Sequence, residues 1–386
     1  MSWSTVRADQ FCTLITDGTH DSPKPQQSGW KLITSKHLKG HYIDFDSANW
    51  ISEADYLKVI SRSAVEQWDI LFSMIGTIGN IYLEKNPHVE YACKNMGIFK
   101  FSGNKENALW MYYYLKSPQA KAYIQTHLRG STQAYVPLGG LREMPVPVPP
   151  QSVRNEIIAV LRPIDEKIEC NNAINDNLQQ QAAALFSSLY DRTNTEVRFT
   201  DLIQILGGGT PKTGENTYWN GNIAFFTPKD VGTPYTLITE KTITEEGLSH
   251  CNSRLYPVNT VFVTARGTVG KVGMSGVPMA MNQSCYALVG KETHQLLVYF
   301  YTLKVVDRLK HKASGAVFDA ITTKDFESEQ IMKLSDDDAR AFLCIAEPMF
   351  QKVLNNCIEN LRLSTLRDSL LPKLMSGEID VSAVQL

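Results

Sequence analysis

Two glycine-rich segments of the sequence carry polar side chains of the kinds that bind nucleic acid. Ser73–Gly79 and Thr264–Gly270 each end in Gly-Thr-x-Gly and follow a short run of Val, Ile and Phe. Glycine reaches positive φ and lets backbone approach a ligand closely. Hydroxyl, guanidinium and ammonium groups there would donate to phosphates or base edges. The candidate residues are Ser73, Thr77, Thr264, Arg266, Thr268 and Lys271.

A tight turn in a β-rich unit would explain one such segment equally well. The appearance of the same pattern in both halves of the chain favours a binding function. The segment is not a nucleotide-binding P-loop, because Ala265 stands where the first glycine of that motif is required.

Four further polar stretches also occur in pairs. Asp17–Lys24 matches Gly207–Lys212, Leu32–Leu38 matches Phe225–Val231, Asn95 matches Asn282, and Arg129–Tyr135 matches Ser314–Asp319. Arg can pair with guanine edges, and Asn or Gln with adenine edges. The candidate DNA-binding residues in and beside these stretches are Thr19, His20, Lys24, Lys36, Asn95, Arg129, Ser131, Thr132, Gln133, Thr210, Lys212, Lys229, Asn282, Gln283 and Ser314.

Catalytic signatures are missing from the sequence. There is no His-Glu-x-x-His, no Gly-x-Ser-x-Gly, and no defensible pair of catalytic carboxylates. No Asp or Asn stands before Pro-Pro and an aromatic residue, as in base-methylating enzymes. The sequence therefore predicts a non-catalytic protein with no metal site and no bound cofactor.

The bulk composition indicates a water-soluble globular chain. Its 386 residues, 43% hydrophobic and 20% charged, suffice for two domains. No apolar run is long enough to cross a membrane, and the first ten residues lack the apolar core of a secretory signal. Seven scattered cysteines without Cys-x-x-Cys indicate reduced thiols, so we expect a cytoplasmic protein.

Charge is distributed unevenly along the chain. Residues 1–150 carry +2 and 196–335 carry +1, whereas 151–195 and 336–386 carry −2 and −3. The two basic regions are weak candidates for contact with an anion. Chance variation of a few charges is an equally good explanation.

The repeat is sharpest in two segments with a four-and-three apolar spacing. In the first, it runs through Ile157, Leu161, Ile164, Ile168, Asn171, Asn175, Leu178, Ala182, Leu185 and Leu189. Adding 185 to each number reproduces the pattern, with Asn356 and Asn360 in place of the first Asn pair. This spacing predicts two helices that pack on each other, and an antiparallel arrangement is favoured. Two core helices of one compact domain would be the alternative.

The paired asparagines would fix the register of the two helices if they lie in the seam. They would equally well face solvent where the seam opens. Pro163 lies within the first segment and should kink that helix or open its main part.

The other segments indicate mixed helix and strand. Asp69–Met74 and Val258–Thr264 are predicted strands, and Ala108–Leu128 and Thr293–Lys312 are predicted helices. The proline-rich run 144–150 can be neither helix nor central strand, and it forms a stiff connector.

With these features the sequence resembles the specificity subunits of type I restriction–modification systems. The resemblance is carried by residues 68–79 and 258–270, the connector Pro145–Pro150, and the tail 366–379. It covers essentially the whole chain, including the internal repeat. Two differences occur: Ile75 stands where the second half has the family's Arg266, and the second connector lacks the prolines.

The resemblance implies an α+β fold of two similar mixed α/β target-recognition domains, separated by two long antiparallel coiled-coil helices. The domains would be 1–150 and 196–335, with a spacer helix in 151–195 and a second spacer helix and tail in 336–386. Each domain would read one part of an asymmetric, bipartite double-stranded DNA target.

The implied partners are two methyltransferase subunits, which would hold S-adenosylmethionine, and the restriction subunit of the full complex. A free-standing two-headed DNA-binding regulator is the alternative. A regulator should bind DNA tightly alone, whereas a specificity subunit should need its methyltransferase. An unaided nuclease or methyltransferase and a structural coiled-coil linker are further alternatives.

Overall fold

The computed structural model describes residues 3–40, 42–232, 234–312 and 320–381. It divides into two compact units, and each unit contains part of both long helices. Unit 1 is Met1–Glu169 with Arg362–Leu386, and unit 2 is Cys170–Leu361. No helix in the described ranges is both long enough and apolar enough to span a bilayer.

Unit 1 begins with nine short strands and five helices. The strands are β1 Thr5–Arg7, β2 Leu14–Asp17, β3 Trp30–Ile33, β4 Asn49–Ile51, β5 Ile70–Ser73, β6 Ile81–Leu83, β7 Tyr91–Cys93, β8 Met96–Lys100 and β9 Pro145–Pro147. The helices are α1 Ala8–Phe11, α2 Glu53–Ser63, α3 Lys105–Lys116, α4 Pro118–Thr126 and α5 Leu138–Glu143. The first long helix, α6, is Gln151–Tyr190.

Unit 2 repeats this order with one strand more and one short helix fewer among the described residues. Its strands are β10 Glu196–Arg198, β11 Ile203–Gly207, β12 Trp219–Phe226, β13 Tyr235–Thr236, β14 Lys241–Ile243, β15 Val261–Thr264, β16 Val272–Ser275, β17 Met279–Met281, β18 Cys285–Gly290 and β19 Gln330–Met332. Its helices are α7 Phe199–Leu202, α8 Glu245–Ser249, α9 Gln295–Lys312 and α10 Thr323–Glu327. The second long helix, α11, is Asp336–Ser376.

The two units share one strand topology. Unit 1 has the sheets β2-β8-β5-β6 and β4-β3-β7 and the pair β1-β9. Unit 2 has β11-β18-β15-β16, extended by β13, with β14-β12-β17 and the pair β10-β19. Apart from the added strand β13, each unit has one parallel strand pair among the described residues. It joins equivalent strands, β3 with β7 in unit 1 and β12 with β17 in unit 2. The looser repeat along the sequence therefore reflects a repeated fold.

The predicted strands are confirmed as β5 and β15, and the proline-rich connector forms the edge strand β9. The two predicted aromatic helices differ from each other. The second is one helix, α9, but the first divides at Ser117, whose side chain caps α4 with Pro118 at its first position. Proline lacks the N–H that a continuing helix would need, so the break follows from the sequence.

The cores are rich in aromatic side chains and take up the ends of the long helices. In unit 1, Trp110, Phe72 and Phe99 pack in one cluster with Leu161 and Leu371. In unit 2, the Phe186 ring lies 5.0 Å from Phe300 and 5.5 Å from Phe342, centroid to centroid. Each globular part is thus packed directly on segments of both long helices.

The two long helices pack antiparallel within each unit. In unit 2, Asn175 contacts Asn356 and Asn171 contacts Asn360, so the numbers rise along one helix as they fall along the other. Pro163 lies inside α6, which begins at Gln151, and so does not open the helix. Two mixed α/β units joined by long antiparallel helices confirm the predicted fold class.

Candidate nucleic-acid interface

Ser73 and Thr264, the last residues of β5 and β15, hold the two glycine turns in the same way. Gly79 N–H donates to the Ser73 carbonyl at 3.1 Å, and Gly270 N–H donates to the Thr264 carbonyl at 2.8 Å. The Ser73 hydroxyl donates to the Ile75 carbonyl at 3.1 Å, and the Thr264 hydroxyl donates to the Thr268 carbonyl. Both turns are therefore fixed from inside by a hydroxyl at the strand end.

The glycines in these turns are required by the backbone. Gly76 and Gly79 have φ values of 79° and 89°, and Gly267 and Gly270 have 80° and 75°. Side chains strongly disfavour this left-handed region. The same two-glycine geometry in both units explains why Gly-Thr-x-Gly occurs twice.

Two of the predicted contact residues must be corrected. Ser73 and Thr264 are both 0% exposed, and their hydroxyls are used by the turn. They shape the loop and do not reach its surface. By contrast Thr77, Thr268, Arg266 and Lys271 are exposed, although the Thr268 hydroxyl donates to the Pro228 carbonyl at 3.2 Å.

The Arg129–Tyr135 segment is a hairpin attached to the glycine turn of unit 1. Arg129 and Tyr135 exchange two backbone hydrogen bonds of 2.9 Å, and Val136 N–H donates to the Met74 carbonyl at 2.9 Å. Tyr135 also pairs with Ile75. The side chains of Arg129, Ser131, Thr132 and Gln133 are exposed and have no hydrogen-bond partner among the described residues. A fixed base thus presents four polar side chains that are free to bind a ligand.

The corresponding position in unit 2 is the pairing of Arg266 with Ala320. Ile321 N–H donates to the Ala265 carbonyl at 2.9 Å. Ser314, predicted as a contact, lies outside the described residues.

The other predicted residues of unit 1 lie around the same end of its sheets. Asn95 N–H donates to the Thr19 carbonyl at 3.1 Å, and Asn95 is adjacent to Met96, which pairs with Ser73. Lys36 lies in the 3-10 turn Ser35–His37, whose Ser35 hydroxyl would lie 3.4 Å from a Cβ at Gly76. Thr19, Lys36, Asn95 and the hairpin are therefore neighbours of one glycine turn.

His37, in that same turn, was not singled out by the sequence and has a structural role. It is 2% exposed, and its Nδ1 accepts the Thr34 N–H at 2.9 Å. Burial lowers the pKa of this imidazole. A neutral His37 thus holds the turn that carries Lys36.

His20 and Lys24 border an open cleft of about 790 Å³ between residues 19–26 and α2. His20 is fixed at both ring nitrogens, 2.8 Å from Asn95 Oδ1 and 2.8 Å from Asp17 Oδ2. Lys24 is exposed. Arg62 of α2, which the sequence did not single out, donates to the Gly18 carbonyl at 2.9 Å and holds the first loop in place.

The equivalent residues of unit 2 also gather around their turn. Gly209 N–H donates to the Met281 carbonyl at 3.1 Å, and the Thr210 hydroxyl donates to Gln283 Oε1. Lys229 lies 3.6 Å from Glu240, and it follows Pro228, which Thr268 contacts. Lys212 is exposed, and its carbonyl accepts the Trp219 indole N–H at 3.2 Å.

Asn95 and Asn282 are less free than the sequence suggested. Asn282 Oδ1 accepts the Ser284 N–H at 3.0 Å, and Asn95 Oδ1 lies against His20. Pairing with both adenine groups needs the oxygen and the nitrogen of one amide. In each case the oxygen is already engaged, and the amide nitrogen remains for a ligand.

The four helix asparagines lie between the helices of unit 2. Asn171, Asn175 and Asn356 are 0%, 5% and 1% exposed. Asn356 Nδ2 donates to Asn175 Oδ1 at 2.8 Å, and Asn171 Nδ2 donates to Asn360 Oδ1 at 2.9 Å. These bonds exclude the solvent-facing alternative for the first three residues.

The seam in unit 1 carries an ionic cluster instead. Asp165 accepts from Arg367 Nη1 at 2.7 Å and lies 3.1 Å from Lys116 Nζ. Burial acts to raise the pKa of Asp165, but the charges of Lys116 and Arg367 hold that pKa below its usual value. Burial lowers the pKa of Lys116 despite the attraction of Asp165. Arg367 is the closer partner, and its hydrogen bond to Asp165 raises the pKa of Arg367 in spite of burial.

No group of three His, Cys, Asp or Glu side chains within the described residues is arranged to hold a metal ion. All seven cysteines are free thiols. The surface features that remain are exposed donors around two equivalent glycine turns. They define a class of protein with two similar units, each of which presents exposed hydrogen-bond donors around one glycine turn.

The model of the type I restriction modification DNA specificity domain matches residues 3–180 and 192–333. This covers more than half of the chain, so the chain belongs to that family. It is a type I restriction–modification specificity subunit with two target-recognition domains.

Named relatives agree with this assignment. The chain is 22% identical over 415 residues to the HindI specificity subunit of Haemophilus influenzae, across 85% of this chain and 90% of that protein. It is 31% identical over 127 residues to the MjaIX specificity subunit of Methanocaldococcus jannaschii, across 31% of this chain and 29% of that protein. It is 26% identical over 211 residues to the EcoR124I/EcoR124II specificity subunit of Escherichia coli, across 51% of each.

A solved structure supports the fold. The crystal structure of a type I restriction–modification S subunit from M. genitalium matches with a TM-score of 0.55 and 16% identity. The match covers 97% of this chain and 96% of that one.

Proposed function

We propose that each unit of this specificity subunit reads one part of an asymmetric, bipartite DNA site through the surface around its glycine turn. The observation that supports this most strongly is the recurrence of one turn geometry with unlike neighbours. Unit 1 has Ile75 where unit 2 has Arg266, and only Arg266 carries a charge. Two similar scaffolds with different side chains suit two different half-sites.

In unit 1 the hairpin Arg129–Tyr135 is the proposed base-reading element. Its four polar side chains are free, and its base is held by backbone hydrogen bonds to residues 74–75. A rigid base reduces the ordering cost of binding, and free Arg and Gln side chains suit guanine and adenine edges. In unit 2 Arg266 is the proposed reading residue or phosphate contact, with Gln283 and Lys271 beside it.

The chain itself would not catalyse a reaction. Methylation would belong to two methyltransferase subunits that carry S-adenosylmethionine, with a restriction subunit in the full complex and the cell interior as the site of action. This chain would supply position through phosphate contacts and specificity through base contacts. A DNA-reading subunit of this kind needs no nucleophile or metal ion of its own.

The test is methylation mapping of a host that expresses the methyltransferase partner with and without this chain. We expect methylation at a two-part asymmetric motif only when both are present. Methylation of that motif without this chain would contradict the proposal. Tight binding of the motif by the chain alone would favour the free-standing regulator.

A further inference from the structure

The glycine turn of unit 2 is covered by a lysine that has no counterpart in unit 1. A Cβ at Gly270 would lie 2.6 Å from Lys310 Cε and 3.4 Å from Lys310 Nζ. A Cβ at the equivalent Gly79 would meet nothing within 4 Å. Lys310 in α9 therefore places its ammonium group against the turn.

The charge of Lys310 is not used by the fold. α9 ends in three basic residues, Lys310, His311 and Lys312. Lys312 donates to the buried Glu329, and His311 lies 3.6 Å from Asp307. Lys310 has no carboxylate partner in the part of the chain that the structure describes. Favourable interaction with the helix C-terminus explains a basic residue here, but not its position over Gly270.

Two more unpaired cations flank the same turn. Arg266 and Lys271 are exposed, and neither forms an ion pair with a described residue. The N–H groups of Gly267 and Thr268 also lack an acceptor among the described residues. In unit 1 the equivalent positions are Ile75 and Asn80, which are uncharged. Cations and free backbone donors grouped without an acid form a typical anion-binding surface.

We propose that Lys310 and Lys271 form a phosphate clamp for the DNA backbone beside Arg266, at the turn of unit 2. This inference rests on the proposed function and identifies which part of the DNA the turn of unit 2 holds. Phosphate contacts fix position without reading sequence. The clamp then contributes a salt-dependent part of the affinity of the second recognition domain for DNA.

The test uses the full chain in complex with its methyltransferase and a duplex that carries the mapped motif. Fluorescence anisotropy gives the dissociation constant as a function of salt for wild type, Lys310→Gln and Lys310→Arg. Each lost phosphate contact reduces the slope of log affinity against log salt by about 0.9. When the salt concentration rises about fourfold, the affinity of Lys310→Gln should therefore fall by a factor that is about 3.5 times smaller than the factor for wild type.

Lys310→Arg should keep the wild-type slope, because it keeps the charge. Lys352→Gln, which removes an exposed lysine from α11, is the matched control and should also keep it. A thermal unfolding midpoint for each variant separates loss of fold from loss of contact. An unchanged slope for Lys310→Gln, with normal binding by wild type, would overturn the clamp alone. Wild-type binding without preference for the motif would overturn the proposed function as well.

Discussion

Arg266 is the residue at which the two recognition domains differ most clearly in chemistry. Its side chain is exposed beside a positive-φ glycine, with no ion-pair or hydrogen-bond partner among the described residues, where unit 1 has Ile75. Both a guanine contact and a phosphate contact would use its guanidinium group. The two contacts can be distinguished by whether a substitution lowers the preference for the motif or the salt dependence of binding.

Arg266→Ala should weaken binding of the motif duplex by roughly 1–3 kcal/mol, because either contact has that magnitude. Equilibrium titration against the motif and against single-base variants measures the loss. Arg266→Lys is the control: it retains a phosphate contact but lacks the planar fork that arginine presents to guanine. If Arg266→Ala leaves both the affinity and the salt slope unchanged, Arg266 has only a structural role.

Asp165 is the central residue of the ionic cluster between the two long helices in unit 1. Its side chain is 10% exposed and is bound by Arg367 and Lys116. Since its pKa is lowered in the folded state, its contribution is present above the unfolded value of about 3.9 and is lost as pH falls through the folded value. The free energy of unfolding should therefore fall in acid below about pH 4.

Arg367→Ala should lower the free energy of unfolding by roughly 3–5 kcal/mol, because it leaves a buried carboxylate without its main partner. The internal repeat shows which side chains can fill these two positions in a control variant. The equivalents of Asp165 and Arg367 in unit 2 are the buried Phe350 and Ala182.

Asp165→Phe combined with Arg367→Ala and Lys116→Met should be less destabilising than Arg367→Ala alone, because no buried charge remains unpaired. Urea unfolding of the two variants compares them. A triple variant that is the less stable of the two would show that packing, and not the lost ion pair, causes the effect.

At the scale of elements, the glycine turns are the clearest consequence of the sequence. Gly79 and Gly270 have similar positive φ, but only Gly270 has a neighbour within reach of an added Cβ. Gly79→Ala should therefore destabilise its turn by an amount of order 1 kcal/mol through backbone strain, and Gly270→Ala by more, because its Cβ would also lie 3.2 Å from the buried Val306.

Only Gly270→Ala should also displace Lys310 and so reduce the salt dependence of DNA binding. Thermal unfolding and salt titration of both variants provide the comparison. Equal salt slopes for the two variants would mean that Lys310 is not held at the turn.

The elements that repeat in sequence were predicted well. The two long helices, β5 and β15 follow from apolar spacing, whereas the proline-rich run, predicted only as a stiff connector, forms the edge strand β9. The spacing could not show that Ser73 and Thr264 turn inward, since a polar residue at a strand end faces either side. Nor could it find Lys310, which is separated from Gly270 by 40 positions and meets it only through the packing of α9.

The asparagine pairs illustrate the same limit. The seven-residue pattern placed them in the seam, but it could not distinguish burial from exposure. The structure shows cross-helix hydrogen bonds that join Asn175 to Asn356 and Asn171 to Asn360. Asn171 and Asn356 are 185 positions apart, as are Asn175 and Asn360, so each half of the chain contributes the same two residues. Such pairing suits a fixed register, which remains a prediction.

At the scale of the whole molecule, the proposed function implies a fixed number of base pairs between the two half-sites. Each long helix contains residues of both units. We propose that these helices determine the gap between the two half-sites. Because Asn175 pairs with Asn356, matched insertions belong after Asn175 and before Asn356, which leaves both asparagine pairs intact.

A seven-residue insertion at both places, continuing the seam pattern, would lengthen each helix by roughly 10 Å while keeping the same face. At about 3.4 Å per base pair of duplex, that is on the order of three base pairs. A single-residue insertion at the same places rotates the remainder of each helix by about 100° and is the control that should abolish function.

Methylation mapping of hosts that carry these variants with the methyltransferase measures the gap between the half-sites. The heptad variant should methylate a motif with both original half-sites and a gap wider by about three base pairs. Methylation at the original spacing by that variant would contradict the proposed role of the two helices. The distance between the half-sites would then be set by something other than these helices.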